Sequence, residues 1–274
     1  MILFWVALAH AGPWTRGEEA YYARFGVDVY RPLVYVDPLS GQPVDTDRRY
    51  LGVQAGVYSE VGLPTPWPVQ LILAAPLSVG SLTFETNLGQ GRATSWRVGD
   101  LRVGLQTALS KDKPVALLLD AKIPGYANDS IGAKQGLYQN QFPLPGDGQV
   151  DLGAHLLGGV SKGKLWSELS LGWIHRTEAF VGWDVDLKYV DGVAFSNTTG
   201  LKVGSAFLMW KTAGRWNPVD DDVSREFLGL GPAVLVDVEP GLAVEGYVTW
   251  EPTSAQAARG LGVGVGVSLR RPKP

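Results

Sequence analysis

The sequence predicts an all-β fold, a transmembrane antiparallel up-and-down β-barrel of about twelve strands. Three observations carry that reading. Hydropathy alternates with a period of two along most of the chain, the alternating segments mostly run for about 9–11 residues, and the connections between them are short and long in turn. A strand tilted across a hydrocarbon layer needs that length, whereas strands of soluble sheets peak near 5–6 residues.

The chain begins with an apolar run, Met1 to Ala9, followed by Ala9-His10-Ala11, the small-x-small pattern after which leader peptidases cut. Residues 1–11 therefore read as a short signal peptide and residues 12–274 as one barrel domain. The run is shorter than the usual ~15–30 residues and lacks a basic start, so a start codon upstream of Met1 is expected. A buried first strand is the competing reading.

The first predicted strand sets Tyr21, Ala23, Phe25, Val27 and Val29 against Tyr22, Arg24, Gly26 and Asp28. The second opposes Leu51, Val53, Ala55 and Val57 to Gly52, Gln54, Gly56 and Tyr58, and a less regular third spans 69–77. Leu101, Val103 and Leu105 oppose Arg102, Gly104 and Gln106, and the run Val115–Ile123 opposes Asp120 and Lys122. Val150, Leu152, Ala154 and Leu156 face away from Asp151, Gly153 and His155. Strands over 165–176, 201–211, 226–238 and 242–250 are less regular, and between the first two Val185, Leu187 and Tyr189 oppose Asp184, Asp186 and Lys188. The last strand is the clearest, with Leu261, Val263, Val265, Val267 and Leu269 alternating with glycines, Ser268 and Arg270.

Short connections are expected near Glu60–Pro68, Ser110–Pro114, Ser161–Lys164 and Glu239–Gly241, where Lys111-Asp112-Lys113-Pro114 and Glu239-Pro240-Gly241 supply turn chemistry. Long ones are expected near Arg31–Arg49, Ser78–Val98, Pro124–Asp147, Thr212–Ser224 and Glu251–Ala258. Tight turns at one end and large loops at the other describe an outer-membrane barrel, with short periplasmic turns and long extracellular loops. Tyr21, Tyr50, Tyr58, Trp67, Trp96, Trp166, Trp173, Trp183, Tyr189, Trp210 and Trp250 fall near proposed strand ends, as interfacial girdles do. A soluble β-sandwich would bury the same aromatics in a core, but with shorter strands.

Composition excludes several chemistries. A net charge of −3 leaves no basis for binding nucleic acid by phosphate neutralisation. No cysteine and only three histidines exclude disulfides, thiol catalysis and Cys-ligated zinc, and leave little for a His-based metal site. Thirty-five glycines in 274 residues are nearly twice the usual ~7% without a collagen period.

Three motifs occur in order: Gly99-Asp100-Leu101-Arg102-Val103-Gly104-Leu105, Lys122-Ile123-Pro124-Gly125, and Pro145-Gly146-Asp147-Gly148-Gln149-Val150-Asp151-Leu152. They resemble a family of bacterial outer-membrane barrels, the transporter and meta-pathway of phenol degradation family. In it a Gly-Asp-Leu strand start is followed by a Lys-x-Pro-Thr-Gly strand exit and, after a variable loop, by a Gly-x-Gly-x-x-Asp return. The Thr before Gly125 is absent here. The resemblance implies the bacterial outer membrane and movement of small solutes, aromatic or hydrophobic ones among them. The partners it implies are membrane lipid, lipopolysaccharide and the barrel-assembly machinery. Locally, Gly125 and Gly148 bracket the third long loop, where the backbone leaves and rejoins the sheet in conformations that disfavour a side chain.

If the aliphatic face meets lipid, the other face places Arg24, Asp28, Arg102, Asp120, Lys122, Asp151, Glu168, Arg176, Asp184, Asp186, Lys188, Lys202 and Glu245 in the lumen, with Gln54 and Gln106. Arg102, Asp120 and Lys122 stand foremost because they lie on neighbouring strands. Unpaired charge is costly in a narrow lumen. Either the lumen is a water-filled path of mixed field, or ion pairs close it. Glycines at 52, 56, 104, 153, 172, 204, 262, 264 and 266 make room there or permit strand curvature.

The function read from this pattern is a channel or transporter for small solutes, without catalytic residues, cofactor or metal. A closed structural barrel with interacting surface loops is one alternative. A lipid-modifying enzyme is another, with His175-Arg176-Thr177 the one His and Ser/Thr pairing in reach. Asp220-Asp221-Asp222 reads as a solvated loop, with a hard-cation site as the competing reading.

Overall fold

The computed structural model describes residues 12–36, 43–44, 49–86, 89–126, 148–180, 189–219, 226–255 and 259–271. Its strands are β1 (Tyr21–Val36), β2 (Pro43–Val44), β3 (Arg49–Gly62), β4 (Val69–Thr86), β5 (Gly89–Val98), β6 (Asp100–Ala108) and β7 (Val115–Pro124). The second half adds β8 (Gln149–Lys162), β9 (Leu165–Phe180), β10 (Gly192–Val203), β11 (Ala206–Trp216), β12 (Glu226–Glu239), β13 (Leu242–Ala255) and β14 (Arg259–Arg271).

Pairing is antiparallel throughout, and β14 returns to β1, with Tyr21 opposite Arg271 and Leu261 opposite Arg31. Closure leaves no exposed sheet edge along that seam. β2 is a two-residue ribbon on the far end of β1. β5 and β6 are two halves of one stave, because β4 pairs with β6 over Val69–Ala74 and with β5 over Leu77–Thr86. The barrel therefore has twelve staves. The break falls at Pro76, which has no amide hydrogen to give the ladder, and the Gly99 N–H donates to its carbonyl at 2.7 Å.

The period of two decides which face meets which medium. Phe25, Leu105, Leu119, Leu156, Leu171, Leu208 and Val265 all point outward, Val265 with 58% of its surface exposed. An apolar belt of this extent would drive aggregation in water, whereas hydrocarbon solvates it and a closed ladder pairs the backbone from strand to strand within it. Tyr21, Trp67, Trp96, Trp173, Trp210, Trp216 and Trp250 stand on the same outer surface. Tyr50 and Tyr58 instead turn into the barrel, and Trp166 packs edge-on against Trp14, so these three do not belong to a girdle. Trp183 lies outside the described residues.

One end of the barrel carries tight turns at 163–164, 204–205 and 240–241, with Gly163, Gly204 and Gly241 at positive φ, and slightly longer connections at 63–68 and 109–114. The other end carries the connections 125–148, 181–191 and 217–225. Several predicted elements differ, the expected loops over 212–224 and 251–258 among them, since β11 runs to Trp216 and β13 to Ala255. The expected loop over Ser78–Val98 is mostly strand, since β4 runs to Thr86 and β5 begins at Gly89. The expected strand over 201–211 is a hairpin: Gly204, at φ 61°, reverses the chain between β10 and β11. That hairpin takes the place in the count that the sequence gave to 184–189, of which Tyr189 lies outside any strand and the other positions lie outside the described residues.

Candidate functional site: the barrel lumen

Four consecutive strands place Arg102, Lys122, Asp151 and Arg176 directly opposite one another, as the pairs Arg102–Lys122, Lys122–Asp151 and Asp151–Arg176. The register thus builds a row of charge across the inner wall. Lys122 Nζ lies 2.9 Å from Asp151 and 3.9 Å from Asp100, and Arg176 Nε lies 2.9 Å from Asp151. Arg176 Nε also donates to Gln149 Oε1 at 2.8 Å, and its guanidinium caps the Tyr189 ring at 4.5 Å. One step toward the turn end, Arg102 Nε sits 3.2 Å from Asp120, whose other oxygen lies 3.3 Å from His155 Nε2.

Glycines give these side chains their space. Gly153 stands opposite Asp120 and Gly172 opposite His155, and a side chain at either would collide with them. At Gly264 it would collide with Tyr247 and Asp28. Gly204 is a turn residue and not a luminal one. Gly148 has φ 76°, the conformation expected to disfavour a side chain, whereas at Gly125 the constraint is a close approach, since a side chain there would stand 2.7 Å from the Gly99 carbonyl.

A second cluster lies nearer the turn end. Arg24 Nε meets Glu245 at 3.0 Å, and Lys211 pairs with the other oxygen of the same carboxylate. Both cations lie over the Tyr247 ring, at 5.5 and 5.3 Å. Asp28 is buried beside them. Apolar side chains fill the wall below: Tyr58, Ile72, Ala116, Leu118 and Leu157 on one side, and Met209, Ala233 and Tyr247 on the other, with Trp166 and Phe207 against them.

The N-terminal segment, residues 12–20, enters this end of the lumen. Gln106 donates to the Gly12 carbonyl at 2.9 Å, the Arg16 N–H donates to Gln70 Oε1 at 2.7 Å, and Arg16 Nε pairs with Glu60 at 2.5 Å. Pro13 and Trp14 lie over Gly159, where a side chain would displace them. Gln70 and Gln106 have no solvent exposure.

The predicted luminal residues Arg24, Asp28, Arg102, Asp120, Lys122, Asp151, Glu168, Arg176 and Glu245 all face the interior. Lys202 has the inward parity but lies at the rim, exposed, with its ammonium 5.4 Å from the Phe207 ring. The hairpin at Gly204 ends the stave there, and Lys211 supplies the interior cation instead. Asp184, Asp186, Lys188 and the Asp220–Asp222 run lie outside the described residues. Sequence reasoning missed Arg16, Glu60, Gln70, Gln149, Lys211, Arg215 and Glu251. The alternation Met209, Lys211, Ala213, Arg215 would have revealed two of these, had the turn at 204 been recognised.

At the loop end, Asp191 gathers three donors of β9: the Arg176 N–H at 2.9 Å, Trp173 Nε1 at 3.1 Å and His175 Nδ1 at 3.1 Å. Burial pushes its carboxyl up, but these partners outweigh it and hold the group below the usual carboxylate range. The Thr177 hydroxyl donates to the Val150 carbonyl at 2.6 Å, so the His175 ring is engaged by Asp191 and Thr177 by the backbone, not by each other.

No family model and no curated protein matches the sequence. Among the solved structures that the chain resembles are two channels with the same fold. The COG4313 outer membrane channel from Pseudomonas putida F1 aligns with a TM-score of 0.65 at 10% identity, over 96% of this chain and 98% of that one. The CymD monoaromatic hydrocarbon channel aligns at 0.52 with 8% identity, over 93% and 90%.

Proposed function

We propose that this chain is a bacterial outer-membrane channel for small hydrophobic solutes, monoaromatic ones among them, and a member of the transporter and meta-pathway family that its motifs resemble. The observation that carries the proposal is the composition of the lumen in depth. Ion pairs bridge the loop-end half, and in the turn-end half the charges of Arg24, Glu245, Lys211, Arg16 and Glu60 are also paired, with Tyr58, Ile72, Leu118, Leu157, Met209 and Tyr247 forming apolar wall around an inserted segment. Such an interior offers little to a hydrated ion, which would have to displace paired charge and cross an apolar lining. It offers van der Waals surface and aromatic faces to a small apolar molecule. The two channels that share the fold support this reading, one being described as a monoaromatic hydrocarbon channel.

Membrane lipid and lipopolysaccharide face the outer belt, and the barrel-assembly machinery inserts the chain. No step in this function breaks a bond, so selectivity resides in shape and field alone. The test is the initial rate of uptake of a radiolabelled monoaromatic hydrocarbon by cells bearing the protein against cells lacking it. A several-fold gain, with no gain for a sugar of similar size, is expected. Equal hydrocarbon rates remove the proposal and leave the closed structural barrel.

A further inference from the structure

We infer that removal of the leader creates a charged anchor for the inserted segment: the new α-ammonium group of Gly12 pairs with the Glu168 carboxylate and locks residues 12–20 inside the turn end of the barrel. The inference rests on the export reading above and not on solute transport.

Two independent observations meet at Gly12. In the sequence, Ala9-His10-Ala11 places the cut directly before it. In the structure, a side-chain carbon at position 12 would stand 2.7 Å from Glu168 Oε2 and 3.1 Å from the Trp14 ring, so the Gly12 backbone lies against the carboxylate. Glu168 on β9 is half-buried and faces the lumen. Among the described residues no cation forms an ion pair with it: Lys211 acts on it only from a distance and is taken by Glu245, Arg16 is taken by Glu60, and the Thr198 hydroxyl is its hydrogen-bond partner. A carboxylate in such a place calls for a positive partner.

In the precursor the nitrogen of Gly12 is an uncharged amide. Hydrolysis of the Ala11–Gly12 bond by a leader peptidase adds water across it, leaving a carboxylate on Ala11 and an ammonium on Gly12. The charge therefore appears only once the leader has been removed. The Gly12 carbonyl, held by Gln106, and Pro13 and Trp14 on Gly159 and Trp166 fix where that ammonium sits. Glycine at position 12 follows, because any side chain would strike the carboxylate or the indole.

The test uses protein exported to and extracted from the outer membrane. Intact mass must place the first residue at Gly12, and any other start overturns the inference. Tryptic release of Gly12–Arg16 is then timed in the wild type, in Glu168→Gln, and in a refolded chain carrying Gly-Ser before Gly12, which moves the ammonium while keeping every barrel side chain. Both altered proteins are expected to lose the peptide about tenfold faster, and their α-amine to be acylated about tenfold faster at neutral pH, the factor that one unit of α-amine pKa represents. Rates equal to the wild type in the extended chain overturn the pairing even if Glu168→Gln fails to fold. Failure of hydrocarbon uptake would remove the transport proposal and leave this result standing.

Discussion

Lys122 on β7 and Arg176 on β9 hold one carboxylate between them, each 2.9 Å from an oxygen of Asp151 on the intervening strand. The arrangement is dictated by register, since Asp151 stands opposite both. All three are buried, so neither cation is solvated in place of its partner.

Asp151→Asn therefore leaves two facing cations with a neutral amide between them. Breaking a buried ion pair from one side costs about 3–5 kcal/mol. The variant is expected to unfold at clearly lower urea concentration in detergent and to lose its heat-modifiable gel shift at a lower temperature. Lys122→Ala, which leaves Arg176 on Asp151, should cost less. A midpoint for Asp151→Asn equal to the wild type would contradict the row as a structural brace.

Gly172 is opposite His155, and a methyl group there would collide with the imidazole, whereas Gly246 on β13 has open space around its position. Gly172→Ala is expected to destabilise by about 1–3 kcal/mol through overpacking, and Gly246→Ala to be tolerated. Refolding yield and urea midpoints of the two variants separate the cases. Equal effects would mean that the luminal glycines serve curvature and not space.

The Asp191 clamp has a defined pH dependence. Its carboxyl lies below the usual range when folded, so the unfolded or opened state binds the proton more readily. The stabilisation is thus complete above the ordinary aspartate pKa and fades as pH falls through the depressed one. The Trp173 indole N–H, which donates to Asp191, should exchange slowly at neutral pH and faster in Asp191→Asn. The difference should vanish at pH values below the folded pKa, and a difference that persists there would contradict the assignment.

Much of this architecture was legible because one face of each stave meets hydrocarbon. On β14 and on β6 to β8 the outward residues of the middle of each strand, such as Leu105, Leu119, Leu156 and Val265, are apolar, and the period of two is correspondingly clean there. Beyond the hydrocarbon both faces meet water, so Ser81, Thr83 and Arg92 on β4 and β5 carry no such alternation and that hairpin read as a loop. The turn at Gly204-Ser205 was hidden for a different reason: it contains no Pro, Asn or Asp, and Lys202-Val203-Gly204-Ser205-Ala206-Phe207 looks like uninterrupted strand. Misplacing it assigned the interior cation to Lys202 in place of Lys211. The inserted residues 12–20 have no periodicity, because irregular backbone held by Gln70, Gln106 and Glu60 is specified by the barrel around it and not by its own pattern.

The most direct test of the account is planar-bilayer conductance of the mature protein beside a variant lacking residues 12–20. A lumen barred to hydrated ions by paired charge at one end and by the Gly12–Ala20 segment at the other should give a wild type silent to ions, and small discrete steps once the segment is removed. Discrete steps in the wild type, unchanged by the deletion, would show an open aqueous pore and contradict the account.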